Sequence, residues 1–232
     1  MIRSDYLFDF NLIEFTELNT EEVNGKRHYV TPDGNKYPSV TTVLSEMSDK
    51  SGIEEWRKRV GEEEANRVTT KATIRGTKIH AMCEDYIQSQ QTVDPSEIMP
   101  IDTMMFKQIK EVLDSKVNNI RAIECPLYSN HLKVAGRCDL IAEYDGVTAI
   151  IDYKTSKSLK REDWIQNYFK QAALYSYMLW EMTGEKAKDI VIIIAIENSN
   201  KAQVIRKKAQ DYVMEAAKMV KDYHKKQLQL TA

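Results

Sequence analysis

Cysteine is scarce in this chain: Cys83, Cys125 and Cys138 are the only three in 232 residues, and they show no CxxC spacing. That argues against a disulfide framework or a zinc site and for a reducing, cytoplasmic compartment. Long apolar runs are missing too. The longest, Ile190 to Ile196, is far too short to span a membrane, and its β-branched content predicts a buried strand. The opening stretch MIRSDYLFDF carries Arg3 and Asp5 and no sustained apolar core, so it does not read as a secretory signal. Net charge is nearly absent, at −2 from 33 Lys and Arg against 35 Asp and Glu. Without a global basic signature, any contact with nucleic acid must come from local patches. There are no internal repeats, low-complexity tracts or convincing linkers. A hydrophobic fraction of 42% with 29% charged residues is that of an ordinary soluble protein, and 232 residues are enough for one substantial core or two small ones.

The chemistry concentrates in Val134 to Ser156, VAGRCDLIAEYDGVTAIIDYKTS. Asp145-Gly146 between runs rich in Val, Ile, Ala and Tyr predicts a two-residue hairpin turn. If that turn sets the register, Tyr144 faces Val147 and Asp139 falls opposite Asp152. Cross-strand Cβ atoms lie roughly 4.5–5.5 Å apart, so the two carboxylates either repel or share a cation or a proton. Period-two alternation returns Lys154 to the same face. A solvated hairpin face on which charges happen to alternate is the alternative.

The string Gly136-x-x-Asp139 followed by Ile150-Ile151-Asp152-Tyr153-Lys154-Thr155 resembles the core motif of the PD-(D/E)xK nucleases, in their RecB-like exonuclease branch. The resemblance implies an α/β, restriction-endonuclease-like core, a mixed β-sheet flanked by helices. It also implies Mg²⁺ or Mn²⁺ bound by Asp139 and Asp152, with Tyr153 in the metal set, and Lys154 assisting the attacking water. Gly76-Thr77-x-x-His80-x-x-x-Glu84 resembles the helix that precedes the hairpin in this branch, where the His and often the Glu approach the metal. Glu124, on a strand expected over Ile120 to Tyr128, is the alternative to Glu84. Gln171-x-x-x-Tyr175 resembles the QxxxY motif that marks the branch and would line the DNA channel, with Gln171 beside the catalytic set. Tyr37-Pro38-Ser39-Val40-Thr41 extends the likeness toward the N-terminus.

Read in order, Leu12 to Leu18 and Arg27 to Thr31 predict a small antiparallel hairpin before a turn at residues 32–35. Ser39 then caps a short helix. Residues 51–72 form a charged helix with a thin apolar stripe, Trp56, Val60, Ala65 and Val68. This helix is either a solvated surface or a gate over the active site. As a gate it offers Arg57, Arg59 and Arg67 to phosphates and Trp56 to a base. Arg75 opens the next helix and joins the DNA-binding set. A further helix near 102–117, a long one from Arg161 to Met182, a strand pair and a basic C-terminal helix from about Ala209 to Lys226 complete the chain. The expectation is one nuclease domain over 1–232: hairpin and helical gate in 1–72, catalytic core in 73–232.

A phosphodiester resists attack until its charge is neutralised and a water is deprotonated, which is work for a metal with carboxylate ligands. The resemblance implies a DNA exonuclease acting from free ends, with single-stranded DNA as the expected substrate, in replication, recombination or repair. A structure-specific endonuclease on the same fold and a non-catalytic DNA-binding domain are the alternatives. An iron-sulfur CRISPR-associated nuclease needs four cysteines, one more than the chain has.

Overall fold

The computed structural model of the chain describes residues 7–231; Arg3 and Asp5 lie outside them. Two sheets organise the described chain. The smaller comprises β1 (Asn19–Val23), β2 (Lys26–Val30) and β3 (Lys36–Pro38), all antiparallel. The larger has the order β4 (Val117–Ser129), β5 (Val134–Tyr144), β6 (Val147–Ser156), β7 (Asp189–Ile196) and β8 (Gln203–Lys208). It is mixed, since β6 and β7 are parallel and the other neighbours antiparallel. Parallel strands need a crossover. Here α5 (Gln166–Thr183) supplies it.

Helices cover both faces of the large sheet. On one side α1 (Val40–Met47), α5 and α6 (Gln210–Thr231) pack against Ile141, Ile150, Ile190, Ile192 and Ile194. On the other, α3 (Glu62–Gln88) and α4 (Pro100–Lys116) pack against Leu140, Ile151, Tyr153, Val191 and Ile193. Successive residues of β7 thus feed opposite cores, which is why its sequence is continuously apolar rather than alternating. Each fully buried Ile or Leu contributes about 1.5–3 kcal/mol. The expected α/β architecture, a mixed sheet flanked by helices, is what the chain adopts. No helix among the described residues is long and apolar enough to cross a membrane.

The hairpin register is as the turn dictates. Asp145 and Gly146 both take positive φ, 48° and 73°, and Tyr144 pairs with Val147 through to Leu140 with Ile151. Ser39 caps α1, its Oγ accepting from the Thr42 N–H at 3.0 Å.

Three expectations need correction. The first N-terminal strand is Asn19–Val23, not Leu12 to Leu18. The turn that sets it is Asn24-Gly25, with φ of 52° and 74°, a second two-residue hairpin signal. Residues before it run along the outer edge of β4, where the Asn11 N–H donates to the Ile120 carbonyl. Second, no helix begins at Arg75. The chain breaks at Gly61, whose φ of 88° ends α2 (Ser51–Val60), and α3 then runs unbroken through Gly76. Third, α5 begins at Gln166 rather than Arg161, so Trp164 falls in a preceding single turn and is 67% exposed instead of lying on the packed stripe.

Candidate active site

Strand β5 carries Asp139 between two acidic neighbours. Ile123↔Leu140 and Cys125↔Cys138 are paired on either side of the step where Glu124 faces Asp139. On the other edge, the register that pairs Leu140 with Ile151 leads at its next step to Asp139 and Asp152. Three adjacent strands thus bring three carboxylates into a row. Glu124 itself has φ of 46°, a local departure from extended backbone in a non-glycine residue.

Helix α3 lays His80 against this row. Its Nε2 is 2.8 Å from the Tyr153 carbonyl, and its Nδ1 is 3.5 Å from Asp139 Oδ2 and 4.0 Å from Glu124 Oε1. A carbonyl can only accept, so Nε2 carries a proton, and Nδ1 is the ring nitrogen that faces the carboxylates and could serve as a metal ligand. His80, Glu124 and Asp139 each offer a ligand atom, and these atoms lie within 4.8 Å of one another. Glu84 lines the same cavity, where its Oε1 accepts from Gln88 at 3.3 Å.

Asp152 is buried and sits beside this trio rather than within it. Lys154 forms an ion pair with its Oδ2, yet neither carboxylate oxygen has a well-aligned hydrogen-bond donor. Burial pushes the Asp152 carboxyl up to about 6, against the pull of Lys154. Burial and the adjacent carboxylates of Asp139 and Glu84 push Glu124 further, to about 8. Burial lowers the Lys154 pKa, but Asp152 and Asp139 outweigh it and hold the amine above its ordinary value. The Lys154 ammonium also lies 5.2 Å from the centre of the Tyr168 ring.

Clustered carboxylates with orphaned oxygens and one imidazole fit a hard divalent cation such as Mg²⁺ or Mn²⁺. His80, Glu124 and Asp139 could each offer it a ligand atom, with Asp152 buried beside them. Tyr153 meets the acidic row through its backbone, whose N–H donates to Asp139 Oδ2 at 2.8 Å, while its ring is buried in the core and stands edge-on to the His80 ring, 5.8 Å between centroids.

The cavity around these groups measures about 710 Å³. Gln171 and Tyr175 both line it, with Gln171 Nε2 3.3 Å from the Tyr175 hydroxyl. Tyr175 reaches the site over a glycine, since a Cβ on Gly136 would meet its Cε1 at 2.7 Å. The cationic set expected from 51–75 is arranged otherwise. Trp56, Arg57, Arg59, Arg67 and Arg75 are all absent from the cavity wall. Arg57 is held by Glu62 and Asn66, Arg67 by Glu64, and Arg75 by Asp102 and Glu197. Helix α2 buries no residue, in keeping with its thin stripe.

Sequence reasoning missed Arg27, Tyr29, Thr41 and Arg137, which the cavity wall includes. For Arg137 a signal existed, because it stands two residues from Asp139 on one strand and therefore shares its face. Nothing local pointed to Arg27.

Comparison with known proteins carries the geometry to a family. The human mitochondrial genome maintenance exonuclease 1 is 28% identical over 142 residues, which are 58% of this chain and 40% of that protein. Its mouse counterpart is 27% identical over 133 residues, 54% of this chain and 39% of that one. The chain thus spans well under half the length of the curated relatives it matches. A crystal structure from Eubacterium rectale, of a protein assigned as an exonuclease, superposes with a TM-score of 0.46 at 19% identity, covering 68% of this chain and 66% of the other. A family model matches residues 47–230, a stretch that contains every carboxylate of the row, His80 and Lys154, and by that match the chain belongs to the PD-(D/E)XK nuclease superfamily.

Proposed function

We propose that this nuclease is a divalent-metal-dependent deoxyribonuclease that degrades DNA from free ends, with single strands as its substrate, in replication, recombination or repair. The observation that carries this reading is one cavity lined by Glu124, Asp139, His80 and Lys154, with Asp152 buried behind it and ion-paired to Lys154. Nucleases of this superfamily generally use divalent metal ions, and the relatives with known names are exonucleases. A bound Mg²⁺ or Mn²⁺ would neutralise phosphoryl oxygens and lower the pKa of a coordinated water.

The protein's own groups do the rest. The carboxylates would hold the cation, and the Tyr153 carbonyl, accepting from Nε2, leaves His80 Nδ1 facing them. Lys154 is a compact positive charge with several donors, suited to orienting the attacking water and to stabilising charge that develops on the phosphoryl group. Gln171 and Tyr175 line the path of the strand.

One observation favours the endonuclease alternative: the α2 residues of the expected gate lie off the cavity wall. A time course on end-labelled linear and covalently closed single-stranded DNA, with and without EDTA, separates the two. Exonuclease action predicts metal-dependent loss of the linear form while the circle persists. Rapid nicking of the circle establishes an open cleft instead.

A further inference from the structure

The superfamily match begins at residue 47, yet one wall of the catalytic cavity is built before it. Alternation along β2 turns Arg27 and Tyr29 toward the cavity, while Lys26 and His28 line a separate hollow on the other face with Lys36. The Arg27 backbone is pinned by the Ser39 N–H, which donates to its carbonyl at 3.0 Å. Its guanidinium donates through Nη2 to Thr41 Oγ1 at 3.0 Å and lies 5.7 Å from the Tyr29 ring centre. Thr41 is in turn 3.0 Å from the Oγ of Ser39, the residue that caps α1.

The ion-pair inventory sets Arg27 apart. Nine arginines are described, and seven of them, Arg57, Arg67, Arg75, Arg121, Arg137, Arg161 and Arg206, hold a carboxylate. Arg27 and Arg59 do not, although Glu22 stands opposite Arg27 in the β1–β2 register. The permanently cationic side chains of the cavity wall are Arg27, Arg137 and Lys154. Arg137 is neutralised by Glu17 and Lys154 by Asp152. Arg27 is therefore the one permanently cationic lining residue with no carboxylate partner among the described residues. An exposed guanidinium with one of five donors engaged is a phosphate clamp in waiting.

We propose that Arg27, aimed by Thr41 and the Tyr29 ring, grips a backbone phosphate of the nucleic-acid strand and so positions that strand across the carboxylate row. It is a positioning residue, and the inference rests on the nuclease reading above.

The test compares Arg27→Ala and Arg27→Lys with Lys36→Ala, which removes the same charge from the opposite face of the same small sheet. Binding of a labelled oligothymidylate is measured across a salt series in EDTA, and cleavage in Mg²⁺. Arg27→Ala weakens binding roughly tenfold, as for a lost charged hydrogen bond, and lowers the salt slope by about 0.7, as for one single-strand phosphate. Its KM rises while kcat stays near the parent's, because a uniform binding contact is gone. Arg27→Lys recovers the slope and part of the affinity. Lys36→Ala matches the parent. If Arg27→Ala binds and cleaves like Lys36→Ala while the parent is active, the clamp is refuted and the nuclease reading stands. A parent that neither binds nor cleaves overturns both.

Discussion

The metal-free protein should lose stability as pH rises from 6 to 9, and Glu124 should be the cause. In the folded chain its carboxyl titrates near 8, against an ordinary value of 4.5, because it is buried beside Asp139 and Glu84. A folded-state pKa above the unfolded one means that folding takes up a proton. The associated stability is therefore complete below the unfolded pKa and disappears as pH climbs through 8. Asp152 acts in the same direction but lower, between its ordinary 3.8 and about 6, so measurement above pH 6 isolates Glu124. Two pH units at about 1.36 kcal/mol each give roughly 2.7 kcal/mol. The Glu124 side chain is 24% exposed, and solvent screening reduces this to about 2 kcal/mol. For a chain of this size that is a fall of about 4–8 °C in the unfolding midpoint.

The assay is thermal unfolding of EDTA-treated protein at half-unit pH steps, beside Glu124→Gln. The variant carries no titrating group at this position, so its midpoint should stay level over the window where the parent's falls. Adding Mg²⁺ or Mn²⁺ should raise the parent's midpoint more at pH 9 than at pH 6, since the cation favours the ionised row and stabilises only the folded state. Parallel curves for parent and variant would refute both the burial argument and the role of Glu124 in the row.

Asp139→Asn and Asp152→Asn should each abolish cleavage while the circular dichroism spectrum and strand binding persist; near-normal turnover with Mg²⁺ in either removes that residue from the site. Lys154→Met should cost on the order of 10² in single-turnover rate, as for a lost preorganised electrostatic group, and a loss of metal affinity instead would reassign its role. Gly136→Ala should destabilise by about 1–3 kcal/mol through overpacking, because the new Cβ would meet the Tyr175 ring and hydroxyl at 2.7–2.8 Å. Tyr175→Ala in the same chain should recover part of that loss, and simple additivity in chemical denaturation would show that the contact is not the cause.

What the sequence made legible is what local rules determine. Asp145-Gly146 demands positive φ at two successive residues, which sets the turn; the turn sets the register, and the register aligns Asp139 with Asp152. Lys154 follows by alternation. The same rule applied at Asn24-Gly25 would have placed β1 correctly, so that error lay in the reading and not in the physics. Gly76 misled in the other direction, since a glycine inside a helix costs about 1 kcal/mol without ending it when both sides pack, as Ile79 and Cys83 do here.

Long-range placement is a different matter. Glu124 is fifteen residues from Asp139 in sequence and one strand away in space, and its pKa depends on burial that no spacing rule supplies. The gate residues show the same limit from the other side: Arg57 and Arg67 have the right chemistry for phosphate, but Glu62, just across the break at Gly61, and Glu64, three residues before Arg67, take up their charge. In a chain with a net charge of −2, acids are as plentiful as cations, so the count of basic residues in a segment says little about where an anion can bind. The informative quantity is which cation remains without a partner after folding. Arg27 does, though Glu22 stands opposite it on the neighbouring strand, because its guanidinium is drawn to Thr41 and the Tyr29 ring on the cavity side. That contact is made across the junction between the small sheet and α1, and it is the fold, through the Ser39 cap, that turns an ordinary surface arginine toward the carboxylate row.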